Sequence, residues 1–193
     1  MNKVLIADSV SSAVSEVFDK NGIAHDTKIG LSEDELATEI TEYSGLIVRS
    51  AVTVTEKIIN SAINLKVIGR PGVGVDNVDL KAATNNGIVV MNTPLGNVQA
   101  TAELTFGIMH SLMRKISNAN QSMHQKKWEK KKFIGNEMYG KTIGIIGFGN
   151  IGKKVSQIAH AYGMNVLVYS ASISPEDEKK FNVTNQSIDD ILE

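Results

Sequence analysis

Residues 140–152, with the sequence GKTIGIIGFGNIG, decide the fold class of this 193-residue protein. The first part is an apolar run that ends at Ile146 and predicts a buried strand. Glycines follow at positions 147, 149 and 152, and the residues from Ile151 to Tyr162 predict a helix. This order of strand, glycine-rich turn and helix is typical of a dinucleotide-binding site, although glycines also occur in tight turns that bind no ligand.

Each glycine has a separate physical role in such a turn. Gly147 permits the tight change of direction, Gly149 lets a pyrophosphate approach the backbone, and Gly152 lets the helix pack closely on the strand. The N-terminus of the helix adds N–H groups and the positive end of a dipole. The pattern therefore predicts a Rossmann nucleotide-binding domain that begins in this part of the chain.

One expected element of this pattern is missing at the end of the next strand. An acidic residue normally follows about 20 residues later and accepts hydrogen bonds from the ribose hydroxyls. The strand predicted over Asn165–Tyr169 is followed by Ser170. This replacement weakens the expected preference for NAD, and since no arginine follows, NADP is not positively indicated either.

The first ninety residues alternate short apolar runs with amphipathic segments, which is typical of an α/β fold with a parallel sheet. Predicted helices include one that starts with a capping box at Ser32 and Glu35, one that opens at Thr55, and one over Asp76–Asn85 that ends before Gly87. The predicted strands are Val4–Ala7, Ile23–Ile29, Gly45–Arg49, Lys66–Gly69 and Ile88–Met91.

A long helix is predicted over Val98–Gln125, and its length suggests a connection between two domains. We therefore expect a first domain over 1–97 and a second over 98–193. In the last 24 residues the one predicted element is a short helix, Ile188–Leu192.

Two arginines and a glycine loop follow neighbouring strands of the first domain. Arg49-Ser50 ends one predicted strand, and Arg70 follows Gly69 at the end of the next. Gly72 and Gly74 would expose backbone N–H groups that suit an anion such as a carboxylate. The group predicts a pocket for a small, strongly anionic molecule, unless both arginines are solvated and the loop is merely a turn.

Composition excludes several other functions. The net charge is −1, which gives no indication of a nucleic-acid or membrane partner. The sequence holds no cysteine, so disulfides and thiol chemistry are excluded, and no metal-ligand spacing is present. The apolar run near the N-terminus is too short for a signal peptide, and no run approaches the length of a membrane helix. A cytoplasmic location is expected.

Taken together, the motifs resemble the D-isomer-specific 2-hydroxyacid dehydrogenases over essentially the whole sequence. Within that family, the pair Gly69-Arg70 and Arg49-Ser50 favour the branch that acts on 3-phosphoglycerate. The motifs that carry the resemblance are Val48-Arg49-Ser50, the run from Gly69 to Asp79, Met91-Asn92-Thr93-Pro94, Gly96-Asn97, Ala102-Glu103-Leu104, Lys127-Trp128 through Phe133, and Gly140 through Gly152.

The resemblance implies a flavodoxin-like substrate domain, a following Rossmann domain, and oxidation of 3-phosphoglycerate at C2 with NAD. It also implies a dimer or tetramer, in which Lys130 or Lys132 would reach a neighbour's substrate phosphate. The implied substrate-binding residues are Arg49, Ser50, Arg70, Gly72, Val73 and Gly74, and the implied cofactor-binding residues are Val73, Gly147, Gly149, Asn150, Ile151, Gly152 and Ser170.

Three positions depart from the family pattern: Ser170 replaces an aspartate, Val73 a threonine, and Pro71 an alanine, with loss of one N–H. The resemblance places the catalytic arginine, glutamate and histidine beyond residue 193, so no catalytic residue is assigned and no turnover is expected from these residues alone. The four histidines fit structural roles. Two other functions stay open, namely a dehydrogenase for another 2-hydroxy acid and a non-catalytic NAD-responsive binding protein.

Overall fold

A computed structural model describes residues 3–192 and divides the chain into two compact units, Met1–Gly96 and Asn97–Glu193. The first unit is built on one parallel sheet with the strand order β2-β1-β3-β4-β5. This is the flavodoxin order, so the predicted fold class is confirmed. Its strands are β1 (Lys3–Ile6), β2 (Ala24–Thr27), β3 (Gly45–Ile47), β4 (Val67–Arg70) and β5 (Val89–Asn92).

The side chains of Ser11, Ser32 and Asp79 cap the start of three helices of the first unit. The predicted capping box is present, since the Ser32 hydroxyl accepts from the Glu35 N–H while the Glu35 carboxylate accepts from the Ser32 N–H. The helix predicted from Asp76 begins four residues later, because the Asp79 carboxylate caps it by accepting from the Ala82 N–H at 2.9 Å. The helices are α1 (Ser12–Lys20), α2 (Glu33–Glu39), α3 (Glu56–Ser61) and α4 (Leu80–Asn85).

The core of the first unit lies between the sheet and helices α2, α3 and α4. Leu5, Leu46 and Ile68, from three adjacent strands, are fully buried in it. The side chains that alternate with them point to the other face, where an apolar concavity of about 430 Å³ is lined by residues including Val67 and Met91. The loops at the carboxyl ends of the strands carry polar side chains.

The second unit has a parallel sheet in the order β6-β7-β8. Strands β6 (Thr142–Ile146) and β7 (Asn165–Tyr169) agree with the prediction, whereas β8 (Thr184–Asn185) was not predicted. Two polar residues carry no alternating pattern, and they form a strand because they pair with Leu167 and Val168. The sheet is connected by α7 (Asn150–Ala161) and α8 (Pro175–Phe181), and α9 (Ile188–Leu192) follows β8.

The prediction of one helix over Val98–Gln125 is wrong. The structure has α5 (Val98–Met113) and α6 (Ile116–His124), separated by Lys115 in a left-handed conformation with φ of 52°. In a continuous helix the Met113 carbonyl would accept from the N–H four residues later. It accepts instead from the Asn136 N–H at 2.9 Å, so a contact distant in sequence ends the helix.

Within residues 3–192, no helix is both long enough and apolar enough to cross a membrane. Two of the histidines hold helices to neighbouring segments. His110 Nε2 lies 2.8 Å from the Tyr162 hydroxyl, and His160 Nε2 lies 2.9 Å from the Phe181 carbonyl.

Candidate functional site

The two arginines predicted for anion binding follow adjacent strands at the same edge of the first sheet. Arg70 is the last residue of β4, and Arg49 lies two residues after the end of β3. The register pairs Ile47 with Gly69, so the loops that follow these strands begin side by side. Open α/β sheets bind ligands at this edge. Ser50, in the same loop, is exposed.

The loop after β3 is held by a carboxylate that the sequence prediction had missed. Asp8 follows β1, is 5% exposed, and accepts hydrogen bonds from four backbone N–H groups. The signal for this residue in the sequence was an acidic side chain shortly after the buried strand β1, which pairs with β3. The donors are Ser9 at 2.7 Å, Arg49 at 2.9 Å, Ala51 at 3.0 Å and Val52 at 3.3 Å.

The surroundings of Asp8 keep it ionised. Burial raises the pKa of the Asp8 carboxyl, but the hydrogen bonds from the four amides outweigh burial and hold the pKa below its ordinary value. A carboxylate that accepts several backbone N–H groups is an anchor for the loop. The four amides bind the negative charge of Asp8, and Arg49 Nη1 donates instead to the Ser9 carbonyl at 3.3 Å.

The two arginine loops are connected by Asn77, which the prediction also missed. Its Oδ1 accepts from Arg70 Nε at 2.8 Å. Its Nδ2 donates to the carbonyl oxygens of Arg49 and Val52, at 2.6 Å each. One carboxamide therefore contacts the end of β4 and the loop after β3.

The glycine loop is turned so that its carbonyl groups face β5. The Gly72 carbonyl accepts from the Thr93 N–H at 2.9 Å, and the Val73 carbonyl accepts from Asn92 Nδ2 at 2.6 Å. The predicted exposure of the Gly72 N–H is wrong, because this group donates to the Arg70 carbonyl at 2.8 Å. The amides of Val73 and Gly74 donate to no other residue in the described range 3–192. Successive unengaged amides of this kind suit an anion.

Arg70 lies against this loop. A Cβ atom at Gly72 would stand 2.3 Å from Arg70 Nη1, so the glycine gives the guanidinium its space. A Cβ at Gly74 would stand 2.6 Å from Asp76 Oδ1, so a carboxylate also lies close to this loop.

In the second unit, the glycine turn has the geometry that its sequence predicted. Gly147 has a φ of +96°, a conformation that favours glycine. A Cβ at Gly149 would meet no atom within 4 Å, which leaves open space over the backbone. A Cβ at Gly152 would stand 2.3 Å from the Gly147 carbonyl oxygen, so the helix and the turn touch there. Asn150 and Ile151 begin α7, and their N–H groups are at its N-terminus.

The glycine turn is fixed to the rest of the second unit by Lys153 and Phe148. Lys153 Nζ forms an ion pair with Asp177 Oδ2 at 2.7 Å, and it lies 5.4 Å from the centre of the Phe181 ring. The buried Phe148 ring meets Phe181 edge to face. These contacts hold the start of α7 against α8.

The end of β7 carries a hydroxyl where the family pattern has a carboxylate. The Ser170 N–H donates to Asn185 Oδ1 at 3.2 Å, and its Oγ accepts from the Ser172 N–H at 3.4 Å. With that acceptor site occupied, the hydroxyl proton remains available to donate to a ligand. Ser170 is half-buried in this position.

The lysine-rich segment contains a short 3-10 helix, Lys130–Phe133. Lys132 Nζ pairs with Glu129 Oε1 at 2.6 Å, whereas Lys130 is exposed. The role predicted for either lysine at a neighbour's substrate stays a prediction.

Comparison with known proteins identifies the class to which this fold and these loops belong. The family model for the D-isomer specific 2-hydroxyacid dehydrogenase, catalytic domain, matches residues 4–193. The chain therefore belongs to this family of oxidoreductases. Among solved structures, the TT0316 protein from Thermus thermophilus is similar with a TM-score of 0.87 and 28% identity, over 98% of this chain and 61% of that one.

Curated relatives give a more particular likeness. The chain is 46% identical to D-3-phosphoglycerate dehydrogenase of Homo sapiens over 191 residues, which is 99% of this chain and 36% of the human protein. It is also 46% identical to the D-3-phosphoglycerate dehydrogenase of Synechocystis over 189 residues, 98% of this chain and 34% of that protein. The chain thus spans about a third of the length of these relatives.

Proposed function

We propose that this protein is a D-3-phosphoglycerate dehydrogenase, which moves a hydride from C2 of 3-phosphoglycerate to NAD and forms 3-phosphohydroxypyruvate, in the reaction that begins serine synthesis. In this proposal residues 1–97 bind the substrate and residues 98–193 begin the NAD-binding domain. The observation that carries it is the group of two arginines and unengaged amides at adjacent strand ends. The 46% identity to relatives named D-3-phosphoglycerate dehydrogenase also supports this proposal.

The charge of the substrate supports this assignment. 3-Phosphoglycerate carries a carboxylate and a phosphate, so its binding needs several cationic or N–H donors in one place. Arg49 and Arg70 supply guanidinium groups, and Val73 and Gly74 supply amides, all at the same sheet edge. Arginine binds carboxylate and phosphate groups through two parallel hydrogen bonds.

The glycine turn fits a nicotinamide dinucleotide. Open space over Gly149 admits the pyrophosphate, and the N–H groups of Asn150 and Ile151 are positioned to donate to it. Ser170 would meet the adenosine ribose. When bound, the nicotinamide accepts the hydride. The residues of this chain bind and orient both molecules, and we assign none of them to proton transfer.

A binding experiment on the 193-residue chain tests the substrate assignment. Replacing Arg70 with alanine is expected to weaken 3-phosphoglycerate binding by about 10- to 100-fold, because hydrogen bonds to charged groups are worth about 1.5–3 kcal/mol. Arg49→Ala is expected to act in the same direction. Isothermal titration calorimetry measures the affinity of the original chain and of each variant for 3-phosphoglycerate, glycerate and lactate.

The matched control is Lys66→Ala, which removes the same charge from an exposed residue just before the opposite end of β4. It should leave binding within twofold. Equal affinity for lactate and 3-phosphoglycerate would favour a dehydrogenase for another 2-hydroxy acid. Binding of NAD without any of the three acids would favour the non-catalytic NAD-responsive protein.

Ser170 leads to a prediction about the choice of cofactor. Ser170→Asp is expected to raise affinity for NADH several-fold, because a carboxylate accepts from both ribose hydroxyls, and to reduce affinity for NADPH by charge repulsion with the 2′-phosphate. Fluorescence titration with each reduced cofactor measures the ratio. Ser170→Asn is the control, as it has the size of aspartate without its charge. An unchanged NADH-to-NADPH ratio in Ser170→Asp would remove Ser170 from the cofactor site.

We also propose a homodimer or homotetramer. Leu104, Ile108 and Leu112 form a stripe with spacing i, i+4, i+8 on α5, and each is more than 60% exposed. Contiguous apolar surface of this kind marks protein interfaces, and a second copy of the chain would cover it. The cytoplasmic location stays a prediction from the sequence.

A further inference from the structure

We propose that Asn77 is a positioning residue, which fixes the direction in which Arg70 presents its guanidinium to an anion. The inference rests on the proposed role of Arg70 in substrate binding. Its geometric part, the orientation of Arg70 by Asn77, can be tested separately.

The orientation of the Asn77 carboxamide is determined by its three partners. Two of them, the carbonyl groups of Arg49 and Val52, can only accept, so they require the NH₂ group of Asn77. The oxygen then has to face Arg70, where Nε donates to it at 2.8 Å. If the amide were flipped, its NH₂ group would face the Arg70 Nε–H, and its oxygen would face the carbonyl oxygens of Arg49 and Val52.

This contact decides which edge of Arg70 can bind a ligand. A guanidinium forms two parallel hydrogen bonds either through Nε and one Nη or through both Nη groups. Since Nε is engaged by Asn77, the edge formed by Nη1 and Nη2 remains. Within residues 3–192 these two groups donate to no protein acceptor, and Nη1 lies beside Gly72, in the loop with the unengaged amides.

Asparagine is the residue type that this position needs. Aspartate would accept from Arg70 but would neutralise its charge, and its second oxygen would oppose the carbonyl groups of Arg49 and Val52. An apolar residue would leave those carbonyls and Nε without a partner. A neutral side chain with one acceptor and two donors holds Arg70 and leaves its positive charge for the ligand.

The backbone around Asn77 should survive its replacement. The Asn77 carbonyl accepts from the Val54 N–H at 2.8 Å, and the Asp79 N–H donates to the Val54 carbonyl at 3.0 Å. Val54 and Val78 are buried at this bridge. Since these contacts involve no atom of the Asn77 side chain, we expect variants at position 77 to fold.

The experiment compares Asn77→Ala and Asn77→Asp in the 193-residue chain by two measurements. The first is the NMR signal of the Arg70 Nε–H group, assigned by its loss in Arg70→Lys. The second is affinity for 3-phosphoglycerate, with inorganic phosphate as a simpler probe. Asn64→Ala is the matched control, because Asn64 also braces a loop, donating to the Thr41 carbonyl at 2.8 Å, but next to the opposite end of the strands.

In Asn77→Ala the Nε–H signal should shift and exchange faster with water. Affinity should fall by about 3- to 10-fold, because an Arg70 side chain without this contact has to be immobilised when the anion binds. In Asn77→Asp the signal should stay protected while affinity still falls, because the charge is neutralised. A merely structural role would lower stability in both variants and leave the affinity of the folded protein for both probes unchanged.

An unchanged Nε–H signal in Asn77→Ala, or affinity for both probes within twofold of the original chain, would overturn the proposal. If the original chain binds phosphate but not 3-phosphoglycerate, the proposed substrate fails while the phosphate titration still decides the role of Asn77. If it binds neither probe, Arg70 does not bind anions and the positioning proposal fails with it, even where Nε–H protection depends on Asn77.

Discussion

Gly152→Ala is expected to disrupt the start of the second unit and to abolish dinucleotide binding. The new methyl group would stand 2.3 Å from the Gly147 carbonyl oxygen and 3.3 Å from its carbon. Both are backbone atoms, so no side chain can rotate away to make room. Either α7 has to move away from β6 or the turn has to open, and both changes displace the N–H groups of Asn150 and Ile151.

The cost should be large because this contact belongs to the core of the second unit. Overpacking a close-packed interior costs about 1–3 kcal/mol, and a clash with backbone lies at the upper end. For a unit of this size, each kcal/mol lowers the melting temperature by about 4–8 °C. Calorimetry should therefore show a melting temperature lowered by more than about 10 °C. A fluorescence titration with NADH should show no saturation.

Gly149→Ala separates folding from binding. This residue has a φ of −78°, which alanine adopts without strain, and its added Cβ meets no atom within 4 Å. The variant should melt like the original chain, yet bind NADH weakly because its methyl group occupies the space over the backbone. Normal NADH binding by Gly152→Ala would show that the close contact of helix and turn has no role in the site.

Asp8→Ala is expected to be the most destabilising exchange of a polar side chain in the first unit. It leaves four backbone N–H groups at the ends of β1 and β3 without their acceptor. Burying unsatisfied donors costs about 1–3 kcal/mol each, and since water can reach part of this loop, we expect a total of about 3 kcal/mol. Urea unfolding followed through NMR signals of Leu46 and Ile68 reports the first unit alone.

Asp8→Asn and Asp19→Ala are the comparison variants. The carboxamide in Asp8→Asn would keep one acceptor but would direct its NH₂ group at N–H donors, so about 2 kcal/mol should be lost. Asp19 is exposed on α1, and its replacement should change stability by less than about 0.5 kcal/mol. Stability of Asp8→Ala equal to that of Asp19→Ala would exclude the anchoring role.

The same carboxylate predicts a pH dependence. The pKa of Asp8 is lower in the folded protein than its ordinary value of 3.8, so its ionisation stabilises the fold. This stabilisation is complete well above pH 3.8 and is lost as the pH falls through the lower, folded-state pKa. The difference between the original chain and Asp8→Asn should therefore shrink as the pH drops from about 6 to about 3.

Other carboxyl groups of the first unit act in the same direction. The pKa values of Asp26 and Glu39 are lowered, first of all by hydrogen bonds from Lys3 and Lys28. The whole unit should therefore lose stability in acid, and Asp8→Asn should show a flatter profile than the original chain. A parallel profile for the two proteins would mean that Asp8 titrates alike in the folded and unfolded states.

Much of the fold could be predicted because its signals are local. The strands of the first sheet are short apolar runs between turns, the start of α2 is a capping box of four residues, and the glycine turn lies within residues 147–152. The Ser170 replacement was likewise evident from its distance to the turn. The start of α8 was also readable, since the Ser174 hydroxyl caps it ahead of Pro175, but it was not predicted.

The remaining features depend on partners far away in the chain. The break at Lys115 follows from a hydrogen bond between Met113 and Asn136, and β8 exists because it pairs with β7. The intrinsic propensity of Lys115 does not predict a helix break, and the propensities of Thr184 and Asn185 do not predict a strand. Sequence-based prediction therefore placed one helix where the structure has two, and no element where it has the strand β8.

The sequence by itself determined the class of fold, the glycine turn and the residue types available at the carboxyl ends of β3 and β4. Tertiary structure alone decided how Arg49 and Arg70 are held, because Asp8 contacts a loop more than 40 residues away and Asn77 contacts one 28 residues away. A hydrogen bond is directional and short, so its partner is settled by the packing of the sheet and not by the neighbours of a residue in sequence.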